Sequence, residues 1–482
     1  MAKNIETNKY KVELSIDSFK TISNTLEVAD TTGATIEDLL WEQLYQVRVT
    51  AIHPSDPSKN SKPALFGEVK TPRFPTIVET PVSSDVGWTK ILFKWRNEGD
   101  PVTTLKLLKS DATVLSTITL TPTDISNGYL LISDLEAGTS YRIELYSGLI
   151  FRGGNDYTTK EEISGEVVDL QNEDPSSVNL SNVVENAVAG TTIILKRGGK
   201  YEISSALNIS KTLTIMSGSD PLVAAKATIG IIGISNFNIT GGSNISKLSF
   251  VDLELYSNDG GGKYIFNPSG ITANIDELIF DNCIIHDVRG VTRFRGAIII
   301  GQYTIENSIV YNIGGYGVIT VDDATATVNN ISFNNSTMYN IDKLITSKNN
   351  SSGKIILSNS TFYNTVLSPN FIIDYNGTTL YPQGGVEFSN IILGRAKGTN
   401  ANPPTYDIRG IRVNAATILT SSNNFTTSDF AWRIDVSAML PDYTGYNKTS
   451  TDIFADPANA NFTIKDNGFP GKTTAGDPRW RL

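Results

Sequence analysis

Six short phrases in the second half of the chain repeat one another: LSFVDLELYSN (248–258), LIFDNCIIHDV (278–288), YTIENSIVYNI (303–313), ISFNNSTMYNI (331–341), IILSNSTFYNT (355–365) and VEFSNIILGRA (386–396). Successive phrases start 30, 25, 28, 24 and 31 residues apart. A period in that range, built from short strands and loops of variable length, is the signature of a solenoid, where each repeat buries its apolar face only against its neighbours. Aligned as rungs, Phe250, Phe280, Ile305, Phe333, Leu357 and Phe388 form an interior apolar column. Asp252, Asn282, Asn307, Asn335, Asn359 and Asn390 form the next inward column, at a bend. Asparagine tolerates the left-handed backbone of a sharp bend, and its amide can bond to the asparagines above and below. Cys283, Ser308, Ser336 and Ser360 make a narrow column; Leu255, Ile285, Val310, Met338, Phe362 and Leu393 resume the apolar stack, and Tyr311, Tyr339 and Tyr363 point out. Rungs of about 25 residues with three strands per turn describe a right-handed parallel β-helix.

The coil is introduced by LSNVVENAVAGTTIILKRGGKYEIS (180–204), an amphipathic helix leading into an apolar strand and a Gly-Gly turn. Residues 171–482 are therefore expected to be the helix with a C-terminal cap, whose Phe469, Pro470 and Trp480 would cover the open end of the coil.

The first 170 residues carry a different repeat. IEDLLWEQLYQVRV (36–49) matches ISDLEAGTSYRIEL (132–145) at a constant offset of 96, pairing Ile36 with Ile132, Asp38 with Asp134, Leu39 with Leu135 and Tyr45 with Tyr141. A leucine followed by a tyrosine that leads an alternating strand is the tyrosine corner of β-sandwiches. With Trp95 in an early strand, residues 73–170 resemble a fibronectin type III domain. Residues 1–72 resemble a second one whose opening strands are missing, and a chain starting inside a domain would expose a sheet edge. That is the expectation for a longer precursor, with an export leader or anchor upstream and an extracellular or cell-surface address.

Composition narrows the function. The net charge of −10 argues against a nucleic-acid partner. A single cysteine allows no intrachain disulfide, and His53 and His286 are too few for a histidine-rich zinc site. Residues 171–482 are nearly neutral, with 23 basic against 26 acidic side chains, which leaves room for a local basic patch.

The helix-then-strand opening and the asparagine column resemble the pectate lyase-like β-helix superfamily. Sandwich repeats, such a coil and a terminal GDPRW (476–480) resemble a narrower group of surface proteins encoded among polysaccharide-utilisation genes of gut anaerobes. In lyases of that superfamily, substrate lies on the strand face beyond the third turn. If Phe294, Ile319, Ile373 and Ile411 point inward here, alternation turns Arg293, Arg295, Thr320, Asp322, Asp374, Arg412 and Asn414 outward. β-Elimination needs a cation on the uronate carboxylate and a base at C5. Arg293, Arg295, Lys343 and Lys348 are candidates for those roles. Thr320, Asp374, Arg412 and Asn414 are candidate sugar contacts, and Asp322 and Asp374 candidate Ca²⁺ ligands. The arginine motifs of pectate lyases and of chondroitinase B-like enzymes are both missing, and the Asp322-Asp323 pair lacks the companions of polygalacturonases. Two readings follow: a surface protein binding an acidic polysaccharide along this face, or a polysaccharide lyase on a uronate polymer such as pectin.

Overall fold

The computed structural model describes residues 9–481 apart from 30, 32, 73–74, 234–235, 348, 377–378 and 434–439. It divides into Met1–Glu161 and Glu162–Leu482, and no helix among the described residues is long and apolar enough to cross a membrane.

In the first unit, β1 (Lys9–Ser15), β2 (Asn24–Ala29), β3 (Leu44–Ile52) and β4 (Ala64–Lys70) form one antiparallel sheet in the order β2-β1-β3-β4. Next come β5 (Ile91–Lys94), β6 (Thr104–Lys109), β7 (Val114–Thr119), β8 (Tyr129–Ile132), β9 (Ser140–Ser147) and β10 (Ile150–Thr158). Their four-stranded sheet, β10-β9-β6-β7, has the same plan as the first, and the β5-β8 pair covers it. Between the layers Phe93, Leu105, Ile143 and Leu145 are fully buried. Both tyrosine corners form as expected: Tyr45 Oη accepts from Leu40 N at 3.0 Å and Tyr141 Oη from Glu136 N at 2.9 Å. The first sheet has no covering pair among the described residues. Its inner face, with Val12, Leu14, Tyr45, Val47 and Phe66, borders an open apolar groove of about 710 Å³.

The second unit is a parallel β-solenoid whose strands pair rung on rung. The helix Leu180–Asn186 precedes its second strand, burying Leu180 and Val184. The predicted interior register is found throughout: Phe250 pairs with Phe280, Phe280 with Ile305, Ile305 with Phe333, Phe333 with Leu357 and Leu357 with Phe388. Asp252 and the five asparagines of the bend all hold φ between 47° and 55°. Their amides bond across rungs, as in Asn335 to Asn307 at 3.2 Å and Asn390 to Asn359 at 3.1 Å. They do so at the rim rather than inside the coil, with Asn282 and Asn307 exposed, because the left-handed turn swings the side chain outward. Serine supplies the interior polar ladder instead. The hydroxyl of Ser336 accepts from Ser308 N at 3.1 Å and donates to Asn334 O at 2.7 Å, and Ser360 repeats the pattern with Ser336 N at 3.2 Å and Ser358 O at 2.7 Å. Burial pushes the thiol of Cys283, in the same column, up to about 12, so it packs as an inert small apolar group.

A second bend ladder went unread in the sequence. Asp287, Asn312, Asn340 and Asn364 all have positive φ, and Asn312 Nδ2 donates to Asp287 Oδ1 at 2.8 Å. The last letter of each YN pair in the repeats was its signal.

The tail departs from the expected end cap. Gly476 N donates to Asn390 O at 2.8 Å, Asp477 N to Thr361 Oγ1 at 3.0 Å, Thr337 Oγ1 to Asp477 Oδ2 at 2.7 Å, and Arg479 to Asn307 O at 2.6 Å. The GDPRW segment thus runs along the flank of the coil over four rungs. Trp480 donates to Thr337, Phe469 stacks edge-on against Phe425, and Pro470 is exposed. Strand alternation places Thr337, Thr361 and Ile392 outward in one column, and an outward apolar stripe demands a lateral cover.

Candidate functional site

The strands after the second bend carry the predicted face. Phe294, Ile319, Ile373 and Ile411 are buried, and Ile345 joins them, which sets the phase of the middle rung. Outward, one column reads Arg293, Thr320, Thr346, Asp374, Arg412 from rung to rung. Alternation alone therefore placed Arg293, Thr320, Asp374 and Arg412 together. Thr346 was missed because the sequence did not settle its phase.

Chemistry within the column is already spoken for. Arg293 Nε donates to Asp322 Oδ2 at 2.7 Å, and Arg412 grips both oxygens of Asp374 at 2.7 and 2.8 Å. Burial works against the Arg293 charge, but the Asp322 pair more than offsets it and the guanidinium pKa is raised. Thr320 is buried and its hydroxyl donates back to Tyr316 O; with Thr346 also buried, the floor between the arginines is closed to sugar. Asp374 is 8 % exposed and also accepts from Asn376 N at 3.0 Å, so it acts as the anchor of Arg412 rather than as a sugar contact. Asn414 spends its side-chain oxygen on Ala416 N at 2.8 Å, capping a local turn.

The Ca²⁺ expectation does not fit this donor set. Calcium takes about six to eight oxygens. Asp322 and Asp374 stand two rungs apart, each engaged by an arginine, and no group of three or more His, Cys, Asp or Glu side chains gathers among the described residues. Among the described residues the catalytic candidates do not converge either. Arg295 donates to Asn267 at 3.0 Å, Arg293 is paired, and Lys343 lies beside Gly317 in the turn before the next strand. Lys348 is outside the described residues.

Two aromatic rings flank the column, and sequence reading passed over both. Tyr316 takes Arg293 at 3.9 Å and Arg289 at 4.8 Å from its centroid, with Tyr264 edge-on at 5.5 Å. Phe371 takes Arg412 at 4.4 Å and Arg409 at 5.8 Å. Gly317 holds the first ring in place: φ is +68° and a Cβ would fall 2.2 Å from Lys343 O, so only glycine lets the two rungs meet there. The second ring is held by Arg409 N donating to Asn370 O at 3.0 Å and Asn370 Nδ2 to Asp342 O at 3.1 Å. The loop 396–408 closes in beside it, with Lys397 on Asp342 at 2.8 Å and Ser368 on Asp407 at 3.1 Å. The sequence signal was there in Arg289-Gly290 and Gly315-Tyr316-Gly317, within the long strands Ile284–Glu306 and Ile309–Val321, and in Phe371, just before Ile373–Asp374.

Residues 199–341 match a family model described as a domain of unknown function (DUF4957), and residues 355–480 match another, DUF5123. The chain is a β-solenoid preceded by antiparallel β-sheets with two tyrosine corners. Among solved structures, the chicken CNTN1 FN1-FN3 domains are similar at 15% identity, over 32% of this chain and 57% of that one, with a TM-score of 0.15. No curated protein matches the sequence.

The tyrosine column on the neighbouring strand stack is scaffold. His286 stacks on Tyr311 at 4.7 Å, and Tyr311 on Tyr339 at 4.9 Å, the planes within 4° of parallel. Faces consumed by one another present no platform to a sugar ring, and Phe462 of the tail covers Tyr339 and Tyr363. His286 is held between Glu254 at 3.0 Å and Asp287 at 2.8 Å, away from the arginine face.

Proposed function

We propose that the strand face of the solenoid binds a linear acidic polysaccharide without cleaving it, and that the chain is a cell-surface relative of the pectate lyase-like β-helices in which sandwich modules serve as spacers. One observation carries the reading. Once the internal ion pairs of Arg293 and Arg412 are set aside, Arg289, Arg295, Lys343 and Arg409 still border the same column with no carboxylate partner among the described residues. A chain with a net charge of −10 that gathers unpaired cations beside aromatic rings on one face is suited to polymers carrying carboxylate or sulfate. Against cleavage stands the lack, among the described residues, of a cation and a base aimed at one point.

Affinity electrophoresis through gels containing polygalacturonate, alginate, chondroitin sulfate or a neutral glucan tests this, run beside an ultraviolet assay for unsaturated uronate. Retention by at least one acidic polymer, weakened by added salt and without absorbance, is the expected result. Unretarded migration in every acidic gel at low salt overturns it, and a rise in absorbance would make the protein a lyase.

A further inference from the structure

We infer that this face is bivalent: it reads two anionic groups on one polymer chain through two separate arginine–aromatic clamps, Arg289/Arg293 on Tyr316 and Arg409/Arg412 on Phe371. The inference rests on the polysaccharide reading above and specifies its ligand.

The clamps share a construction. In each, one arginine is held by an aspartate, Arg293 by Asp322 and Arg412 by Asp374, and lies over the ring at 3.9 or 4.4 Å. The second arginine, Arg289 or Arg409, lies over the same ring at 4.8 or 5.8 Å and finds no side-chain acceptor among the described residues. Arg409 shows the deficit most clearly, since its Nε is buried without an acceptor. The division of labour follows from charge. An aspartate-bound guanidinium is neutralised and serves to fix the ring, whereas its unpaired neighbour keeps both its charge and its open donors for a carboxylate or sulfate.

The register separates the clamps. Arg293 leads through Thr320, Thr346 and Asp374 to Arg412, four rung steps in all. At about 4.8 Å per step the two sites stand roughly 19 Å apart along the coil. Thr320 and Thr346 are buried, so between the clamps the column's own threonines offer a bound polymer no grip, and Lys343 beside them has no aromatic ring contact among the described residues; the recognition energy is concentrated at the two ends. A fragment too short to span them binds one clamp; a longer one binds both, the second contact being intramolecular.

The test uses the full chain with sized fragments of polygalacturonate and of chondroitin sulfate, roughly two to eight sugars long, measured by calorimetry. The expected result is a step of about a hundredfold in affinity at the length that spans both clamps. Arg289→Gln and Arg409→Gln should each abolish the step while keeping the affinity for short fragments, and the double variant should lose both. Arg289 is exposed and Arg409 half-buried, and circular dichroism and melting check that the variants fold. A smooth rise with length, or a step that survives both single variants, overturns bivalency while leaving polysaccharide binding in place. No affinity for fragments or parent polymers overturns both.

Discussion

Two kinds of column climb the same solenoid. At the bends, each asparagine or serine finds its partner in the rung above or below, so the column satisfies itself: Ser308, Ser336 and Ser360 are wholly buried and fully bonded. On the arginine face the column reads Arg, Thr, Thr, Asp, Arg and closes one pair within itself, Asp374 with Arg412. Arg293 turns to Asp322 beside the column, while Arg289 and Arg409 at its border find no side-chain acceptor among the described residues. A repeat that agrees with itself closes its hydrogen bonds inside the protein. Where the rungs disagree, donors are left for something outside it.

The contrast can be broken first at the core of the self-satisfying rungs. Phe333→Ala should cost about 3–5 kcal/mol in urea unfolding, through lost burial and an unfilled cavity between Ile305 and Leu357. Next comes the interior polar ladder. Ser336→Ala strands Ser308 N and Asn334 O and should cost about 1–3 kcal/mol. At the rim, Asn335→Ala should cost about 1–2 kcal/mol, because alanine resists φ of 48° and makes no amide bond. Asn335→Gly should recover part of that loss, since glycine removes the backbone penalty but not the missing bond. Smallest is the arginine face: Arg289→Gln should leave the unfolding free energy within about 0.5 kcal/mol of the parent. A large destabilisation there would make the face scaffold as well.

A pH titration probes the strap that crosses these columns. Burial holds the carboxyl of Asp477 above its ordinary value, against the pull of Arg479 and Thr337. In the window between the unfolded value of 3.8 and the raised folded one, the native state binds the extra proton. This group's stability contribution is therefore full below that window and is lost as pH rises through it. Relative to the parent, Asp477→Asn should gain stability across the same window and level off above it, as read by melting temperature at stepped pH.

The two sandwich sheets make a smaller version of the same comparison. They share strand order and tyrosine corner, but one is covered by the β5-β8 pair and the other borders an open apolar groove. Amide exchange should be fastest in residues 9–70 and slowest around Phe93 and Ile143, because the first sheet's buried cluster is just Val12, Leu14 and Tyr45 among the described residues.

Sequence alone determined the rung register, the first bend and both tyrosine corners. Each of these is written in local periodicity: a side chain's direction follows from its position in a strand, and a left-handed bend selects Asn or Gly wherever it recurs. It also determined that Arg293, Asp374 and Arg412 share a face. Tertiary structure decided what those residues do there. Whether Asp374 meets a sugar, a cation or Arg412 depends on rotamers and on rungs dozens of residues apart, and so does the second arginine in each clamp. The same holds for the tail: its composition announced an apolar cover, but only the stacking of Thr337, Thr361 and Ile392 into an outward stripe sent it along the flank instead of over the end.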